Sequence, residues 1–288
     1  MIARPPGANR GRRHQTRQGL RSIDGDDTAK VETCHADTAS VWIWIADART
    51  GAPIRQPNRV LARRTSLAME ATVVVRSVVF DVGETLLDDT AEFGRWADWI
   101  GVPRHTFSAV LGAVTAQGHD NAETFQYFKP GFDLVKERQA REDAGAGEVI
   151  GDAELYPDAR PCLRELKVRG LWVGIAGNQT TRAAALLRAL DLPVDDIATS
   201  GEWGVAKPQP GFFERVTRFA PGEPHEIVYV GDHRDNDIVP AHAAGLRTVL
   251  LRRGPWGYLW AEDPPVVATA DWIINSLAEL PDLVRPLS

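Results

Sequence analysis

The strongest constraint on the fold is a nearly continuous run of β-branched and apolar residues that ends on an aspartate. The run reads Val73-Val74-Val75-Arg76-Ser77-Val78-Val79-Phe80, and Asp81 follows it. Such a run is typical of a strand that is buried on both faces of a parallel sheet. Shorter runs of the same kind at residues 171–176, 227–230, 248–251 and 272–274 alternate with helix-like stretches at residues 158–169, 180–190, 210–219 and 237–244. The alternation predicts an α/β fold with a doubly wound parallel sheet, in which active sites lie beyond the carboxyl ends of the strands.

One long segment, residues 89–155, interrupts this alternation. It has no buried-strand run, and its apolar residues Phe93, Trp96, Trp99 and Ile100 recur at helical spacing. We interpret these aromatic residues as the core of a helical insert rather than as a surface for stacking substrate. Because the insert follows the first strand's aspartate directly, we expect it to fold over the site as a lid.

The first 70 residues show no sustained helical or strand period, and we interpret them as a disordered leader or a mis-annotated start. Their apolar segment, residues 41–45, predicts at most one strand without a partner. The second of two methionines is Met69, and organised sequence begins just after it, so we expect translation to start at or near that residue. Residues 1–68 carry 12 Lys/Arg against 6 Asp/Glu, whereas the whole chain has a net charge of -6.

Composition and charge narrow the class of protein. The acidic main body argues against nucleic acid as the principal partner. No apolar run approaches the ~18 residues that a membrane span requires, and the start of the chain lacks the apolar core of a secretory signal. Cys34 and Cys162 lie far apart and form no CxxC pair, so a reducing compartment fits best. We therefore expect a cytoplasmic monomer or homodimer that does not bind membranes.

Four separated segments stand at predicted strand ends or in the loops that follow them. They are Phe80-Asp81-Val82-Gly83-Glu84-Thr85-Leu86, Gly174-Ile175-Ala176-Gly177-Asn178, Val205-Ala206-Lys207-Pro208 and Val230-Gly231-Asp232-His233-Arg234-Asp235-Asn236-Asp237. In this order they resemble the four motifs of the haloacid dehalogenase-like (HAD) hydrolase superfamily, over about residues 73–280. The resemblance implies a Rossmann-like core formed by residues 71–88 and 156–288, and a helical cap formed by residues 89–155.

The resemblance also implies that Asp81 is a catalytic nucleophile. A carboxylate that attacks phosphorus forms an acyl phosphate and divides one difficult displacement into two easier ones. Lys207 would neutralise charge on the nucleophile and the transferring group, and Gly177 and Asn178 would bind the substrate phosphate.

Mg²⁺ is the implied cofactor, because it prefers carboxylate and carbonyl oxygens in octahedral geometry. Asp81, Asp232 and the carbonyl of Gly83 would supply such ligands. Asp237 would support the ion from a second layer or through water, whereas Asp235 falls on a variable position of the family pattern. His233 and Arg234 are expected at the rim of the site.

Two glycines depart from the family's phosphatase pattern. Gly83 stands where a second aspartate usually acts as general acid and base, a role worth about 10²–10⁴-fold in rate. Gly177 stands where Ser or Thr usually bonds the phosphate, a loss of roughly 1.5–3 kcal/mol. We expect Glu84 to point away from the site if its backbone is extended, and Asp88 or a lid residue to replace the missing acid.

These features favour a Mg²⁺-dependent phosphatase that acts on a small phosphorylated metabolite. A 2-haloacid dehalogenase-type hydrolase is one alternative, because that branch also lacks the second aspartate, although it does not usually keep the pair Asp232 and Asp237. A phosphonatase with a lid lysine, Lys129 or Lys136, is another. The two glycines also leave open a phosphometabolite-binding protein that has lost turnover.

Overall fold

The computed structural model describes residues 74–286, so the predicted leader and its apolar segment lie outside the described residues. The strands are β1 (Val74–Val75), β2 (Ser77–Phe80), β3 (Trp172–Gly177), β4 (Asp196–Thr199), β5 (Ile227–Gly231), β6 (Arg247–Leu251), β7 (Trp272–Ile274) and β8 (Arg285–Pro286). The helices are α1 (Thr90–Ile100), α2 (Arg104–Ala116), α3 (Thr124–Phe128), α4 (Leu134–Asp143), α5 (Ala159–Val168), α6 (Thr181–Ala189), α7 (Ser200–Trp203), α8 (Pro210–Phe219), α9 (Val239–Ala243), α10 (Gly254–Trp260), α11 (Pro264–Thr269) and α12 (Leu280–Leu283). Within this part of the chain, no helix combines the length and apolar character needed to cross a membrane.

Six strands form one parallel sheet in the order β4-β3-β2-β5-β6-β7. Side chains alternate between its faces, as the period of a strand requires. Val78 and Phe80 of β2 pack in one cluster with leucines of α5 and α6, whereas Val79 packs with Phe212 and Phe213 of α8 in another. Helices therefore cover both faces, and the predicted doubly wound α/β fold is confirmed.

The central strands lie where the apolar runs predict them, and the differences are local. The first run is divided at Arg76, because β1 pairs with β8 in a separate two-stranded sheet. Strand β4 was not predicted, since it has only four residues and begins on an exposed aspartate, Asp196. The stretch predicted as one helix at residues 237–244 consists of a π-helical turn, Arg234–Ile238, followed by α9.

Between β2 and α5, the insert contains helices α1 to α4 around an aromatic cluster. Trp96, Phe107, Phe125 and Phe132 are buried together, with Phe125 and Phe132 stacked at 4.6 Å between ring centroids. Arg141 is buried against this cluster, with its guanidinium 4.1 Å from the centroid of the Trp96 ring. The aromatic residues of the insert thus form its own core, as predicted.

Helix α5 offers a direct test of the sheet packing, because its residues differ sharply in burial. Leu166 is 0% exposed, whereas Val168 is 76% exposed on the same helix. Leu166→Ala should lower the free energy of unfolding by about 2–5 kcal/mol, through lost burial and the remaining cavity. The matched control Val168→Ala should change it by no more than about 0.5 kcal/mol. Urea unfolding followed by circular dichroism measures both, and equal losses would contradict this packing.

Candidate active site

The four predicted motifs meet at the carboxyl end of the sheet. Asp81 follows β2 and Asp232 follows β5, and these two strands are neighbours in the sheet. Asp81, Asp232 and Asp237 each direct one carboxylate oxygen into a cluster whose atoms lie within 4.8 Å of one another. All three residues are buried, so their charges interact through a medium that screens them poorly.

Lys207 is the cation at the centre of this cluster. Its Nζ lies 2.6 Å from Oδ1 of Asp81 and 2.6 Å from Oδ1 of Asp237. Asn178 holds the lysine from the next strand end: the Lys207 N–H donates to Asn178 Oδ1 at 2.8 Å, and Asn178 Nδ2 donates to the Lys207 carbonyl at 3.0 Å. The side-chain amide of Asn178 is thus bonded to the backbone of Lys207, and the phosphate-binding role of Asn178 stays a prediction.

Each carboxylate oxygen of Asp237 accepts a hydrogen bond from a protein group. Oδ1 accepts from Lys207, and Oδ2 accepts from the backbone N–H of His233 at 2.9 Å. A Cβ at Gly231 would overlap this carboxylate, so a glycine is needed there for Asp237 to reach the lysine. This geometry favours the supporting role that the sequence indicates over direct contact with a metal ion.

Asp232 presents the clearest opening for a cation. Its Oδ2 is buried and has no hydrogen-bond partner among the described residues, a costly state for a charged oxygen. Burial and the charges of Asp237 and Asp81 raise the pKa of Asp232 well above its ordinary value. Burial also raises the pKa of Asp81 to about 6, although Lys207 opposes the shift. Three carboxylates against one ammonium leave an excess of negative charge, and Mg²⁺ with its preference for carboxylate oxygens fits this donor set.

The two unusual glycines each lie against a carboxylate. A Cβ at Gly177 would lie 2.6 Å from Oδ1 of Asp81, so a Ser or Thr side chain there would collide with the Asp81 conformation that binds Lys207. A Cβ at Gly83 would lie 2.6 Å from Oδ2 of Asp89. The carboxylate of Asp89 thus occupies the space next to Gly83 where a side chain at that position would begin.

Asp89 is a site residue that the sequence did not single out. It is the first residue of the insert, and an aspartate just before a helix is ordinarily interpreted as a helix cap. Here Asp88 provides that contact, because its Oδ1 accepts from the Thr90 N–H at 2.8 Å, while Asp89 makes no side-chain cap bond. Burial, followed by the charges of Glu84 and Asp81, raises the pKa of Asp89 well above its ordinary value. The pair of consecutive aspartates was the available signal.

Glu84 does not have the extended backbone on which its predicted orientation depended. Its φ is 50°, in the left-handed region, and its Oε2 accepts from the Tyr156 hydroxyl at 2.6 Å. Burial raises the pKa of the Glu84 carboxyl above its ordinary value. The carboxylate is therefore committed to a neighbouring tyrosine.

His233 and Arg234 support the loop between β5 and α9 rather than the rim. His233 Nδ1 accepts from the N–H groups of Asp235 and Asn236, both at 3.1 Å, and burial lowers the pKa of this imidazole to about 4. Arg234 pairs with Asp235 at 2.7 Å, and Asp235 is exposed, unlike the three buried aspartates of the cluster. The two bonds that His233 Nδ1 accepts fix the turn that carries Asp237.

A cavity of about 410 Å³ lies between the insert and the strand ends. Asp89 and Asn178 line it on the side of the cluster, and Arg138 and Arg182 are among the cations in its wall. The lid lysines considered from the sequence are not in this wall. Lys129 pairs with Glu137 at 2.9 Å and Lys136 with Asp133 at 3.2 Å.

Comparison with known proteins agrees with the motifs. A family model described as haloacid dehalogenase-like hydrolase matches residues 75–245. The glyceraldehyde 3-phosphate phosphatase of Methanocaldococcus jannaschii is 38% identical over 135 residues, which are 46% of this chain and 57% of that relative. The enzyme of the same name from Pyrococcus furiosus is 31% identical over 230 residues, or 73% of this chain and 93% of that relative. The match thus spans little more than half the length of the first relative.

Among solved structures, the HAD-hydrolase YfnB from Bacillus subtilis, bound to magnesium, has the same fold. Its TM-score is 0.55 at 19% identity, over 73% of this chain and 99% of that chain.

The excess of carboxylates predicts a pH-dependent stabilisation by Mg²⁺. Without a divalent cation, the folded-state pKa values of Asp81 and Asp232 exceed their ordinary values, so the folded protein binds protons more tightly than the unfolded chain. The contribution of Asp81 is therefore lost as the pH rises from about 4 through 6, and that of Asp232 is lost as the pH rises through its own raised pKa. Saturating Mg²⁺ should raise Tm by about 5–10 °C at pH 7.5 and by less at pH 5. Differential scanning fluorimetry measures both shifts, with Asp232→Asn as a variant that should respond weakly. Equal shifts at both pH values would contradict the account.

The clamp on Lys207 predicts a catalytic effect of Asn178. Asn178→Ala removes both bonds to the lysine backbone, and misplacement of a catalytic group by about 1 Å can cost about 10²-fold in rate. We expect a loss of that order in kcat for phosphate release, with Tm lowered by only a few degrees. Asn275→Ala is the matched control, since that asparagine is exposed and lies outside the four motifs. An Asn178→Ala enzyme with unchanged kcat would contradict the role of this clamp.

Proposed function

Since the chain belongs to the haloacid dehalogenase-like hydrolase family, we propose that it is a Mg²⁺-dependent phosphatase that acts on a small phosphorylated metabolite through an aspartyl-phosphate on Asp81. The observation that carries the proposal is the buried cluster in which Lys207 bridges Asp81 and Asp237 beside an unpartnered oxygen of Asp232. Such a cluster suits the transfer of an anionic group, because the ammonium of Lys207 and a bound cation would offset the negative charge that the group brings into this buried site.

Asp81 acts as the nucleophile. Its carboxylate oxygen forms a bond to phosphorus while the ester bond breaks, and the electron pair of that bond leaves with the alcohol oxygen. Water then attacks phosphorus, the bond to Asp81 breaks, and phosphate is released with the carboxylate restored. Lys207 holds Oδ1 of Asp81 at 2.6 Å, which orients the nucleophile and offsets charge as the phosphoryl group transfers.

Asp81 and Asp232 would hold Mg²⁺, and the carbonyl of Gly83 is the third protein ligand that we propose. When bound, the ion supplies positive charge that shields the nucleophile from the phosphate oxygens and polarises them. Asp237 would not bind the ion directly in this arrangement; it accepts hydrogen bonds from Lys207 and from the His233 N–H and so positions the lysine. Gly177 would contribute backbone contacts to the phosphate at the end of β3, where Oδ1 of Asp81 lies in the space that a side chain of residue 177 would need.

The cavity of about 410 Å³ beneath the insert would receive the leaving group. We infer that residues 89–155 are the cap and that the core consists of residues 71–88 and 156–288. Support comes from Arg182 of the core, which pairs with Glu142 of the insert at 2.8 Å. The relatives named as glyceraldehyde 3-phosphate phosphatases support a small phosphorylated metabolite as the substrate class.

Setting and assembly complete the proposal. A cytoplasmic location is supported by the two distant cysteines, of which Cys162 is buried and free. We expect a monomer or homodimer that needs neither nucleic acid nor a membrane.

Phosphate release from a panel of small phosphoesters tests the proposal. Wild-type protein should turn over with Mg²⁺ and stop with EDTA, and Asp81→Asn should lose more than about 10³-fold because the nucleophile is gone. Asp235→Asn, which removes a carboxylate that pairs outward with Arg234, should keep its activity. Magnesium binding without any turnover would instead favour a binding protein, and halide release from 2-haloacids would favour the dehalogenase alternative.

A further inference from the structure

The family's usual acid and base is absent at Gly83, yet the space beside that position contains a carboxylate. A Cβ built on Gly83 would lie 2.6 Å from Oδ2 of Asp89. The Asp89 carboxylate therefore lies in the space that a side chain at position 83 would occupy, beside the loop that follows Asp81. We propose that Asp89 is the general acid and base of this site, an assignment that rests on the proposed phosphatase function.

The neighbouring carboxylates are each committed to another partner. Asp88 accepts from the Thr90 N–H at 2.8 Å, Glu84 accepts from the Tyr156 hydroxyl at 2.6 Å, and Glu92 pairs with Arg141 at 2.7 Å. The carboxylate of Asp89, by contrast, accepts no hydrogen bond from the part of the chain that the structure describes. The Asp89 carboxylate is therefore free of structural hydrogen bonds within residues 74–286 and can give up or accept a proton without breaking one.

Asp89 also faces the place where a leaving group would lie. It lines the cavity beneath the insert together with Asn178, which adjoins the end of β3. The carboxylate therefore lies between the nucleophile's loop and the space for the alcohol. A general acid must reach the leaving oxygen from this side, because the nucleophile attacks from the opposite one.

The chemistry then balances over two steps. As Asp81 bonds to phosphorus and the ester bond breaks, protonated Asp89 gives its proton to the departing oxygen, so that a neutral alcohol leaves and Asp89 becomes a carboxylate. In the second step Asp89 takes a proton from the attacking water while that oxygen bonds to phosphorus. The bond between Asp81 and phosphorus breaks, and both residues return to their starting states.

The test compares two esters, 4-nitrophenyl phosphate and glycerol 2-phosphate, in wild type and Asp89→Asn with Mg²⁺. The alkyl ester needs a proton on its leaving oxygen, so its kcat/KM should fall by about 10²–10⁴-fold. That of 4-nitrophenyl phosphate should fall by less than about tenfold. Because the water step also lacks its base, the variant should release about one equivalent of 4-nitrophenol per site in a burst and then turn over slowly. Asp88→Asn is the neighbouring control and should show neither effect.

A relocation variant separates this role from a structural one. Gly83 does not have a left-handed φ, so an aspartate is tolerated there once Asp89 is shortened. On the alkyl ester, the double variant Gly83→Asp/Asp89→Ala should have a kcat/KM at least about tenfold higher than that of Asp89→Ala. In Gly83→Asp alone the new side chain collides with Asp89, so this variant should not improve on wild type.

Three outcomes would overturn the assignment. They are equal losses on both esters without a burst, unchanged kinetics in Asp89→Asn, and no recovery in the relocation variant. Absence of wild-type turnover on every ester would instead overturn the proposed function, and the assignment with it.

Discussion

The structure depends on one shared charge, the ammonium of Lys207 between Asp81 and Asp237. Each carboxylate oxygen lies 2.6 Å from Nζ, and solvent hardly reaches any of the three groups. Burying a single charge costs several kcal/mol, whereas paired charges in good geometry offset much of that cost. The segments carrying them must therefore meet in one arrangement, and the surrounding contacts maintain it. Asn178 fastens the lysine backbone, and His233 fastens the turn that presents Asp237.

The same cluster is unbalanced, and this imbalance connects structure to function. Asp232 adds a third carboxylate, one of whose oxygens is buried without a partner among the described residues. A divalent cation would relieve the excess charge, and a phosphate dianion could then approach Asp81 without facing three uncompensated carboxylates. The metal requirement and the anionic substrate that we propose would both follow from this one electrostatic condition. The two glycines adapt this arrangement, since Gly177 gives Asp81 room and Gly83 gives room to a carboxylate from the insert.

Much of the fold could be predicted, because central strands buried on both faces must be apolar. The runs at β2, β3, β5 and β6 therefore stood out, while β4 did not, since it is short and begins on a polar residue. The order of the motifs indicated Asp81, Lys207 and Asp232. The bonds of Asn178 could not be predicted, because they join segments that are distant in the sequence. The position of Asp89 beside Gly83 could not be predicted either, because it depends on the path of the chain into the insert. Asn178 bonds a backbone 29 residues away, and Asp89 lies beside Gly83 because of how the insert leaves the sheet.

The central claim is that Asp81 becomes phosphorylated, and chemical trapping tests it most directly. Wild-type protein is quenched during turnover of a phosphoester with Mg²⁺, reduced with borohydride, digested and analysed by peptide mass spectrometry. Borohydride converts an aspartyl-phosphate into homoserine, so the account predicts homoserine at position 81 only when substrate and Mg²⁺ are both present. Turnover that leaves Asp81 unmodified, or that places homoserine at another aspartate, would contradict it.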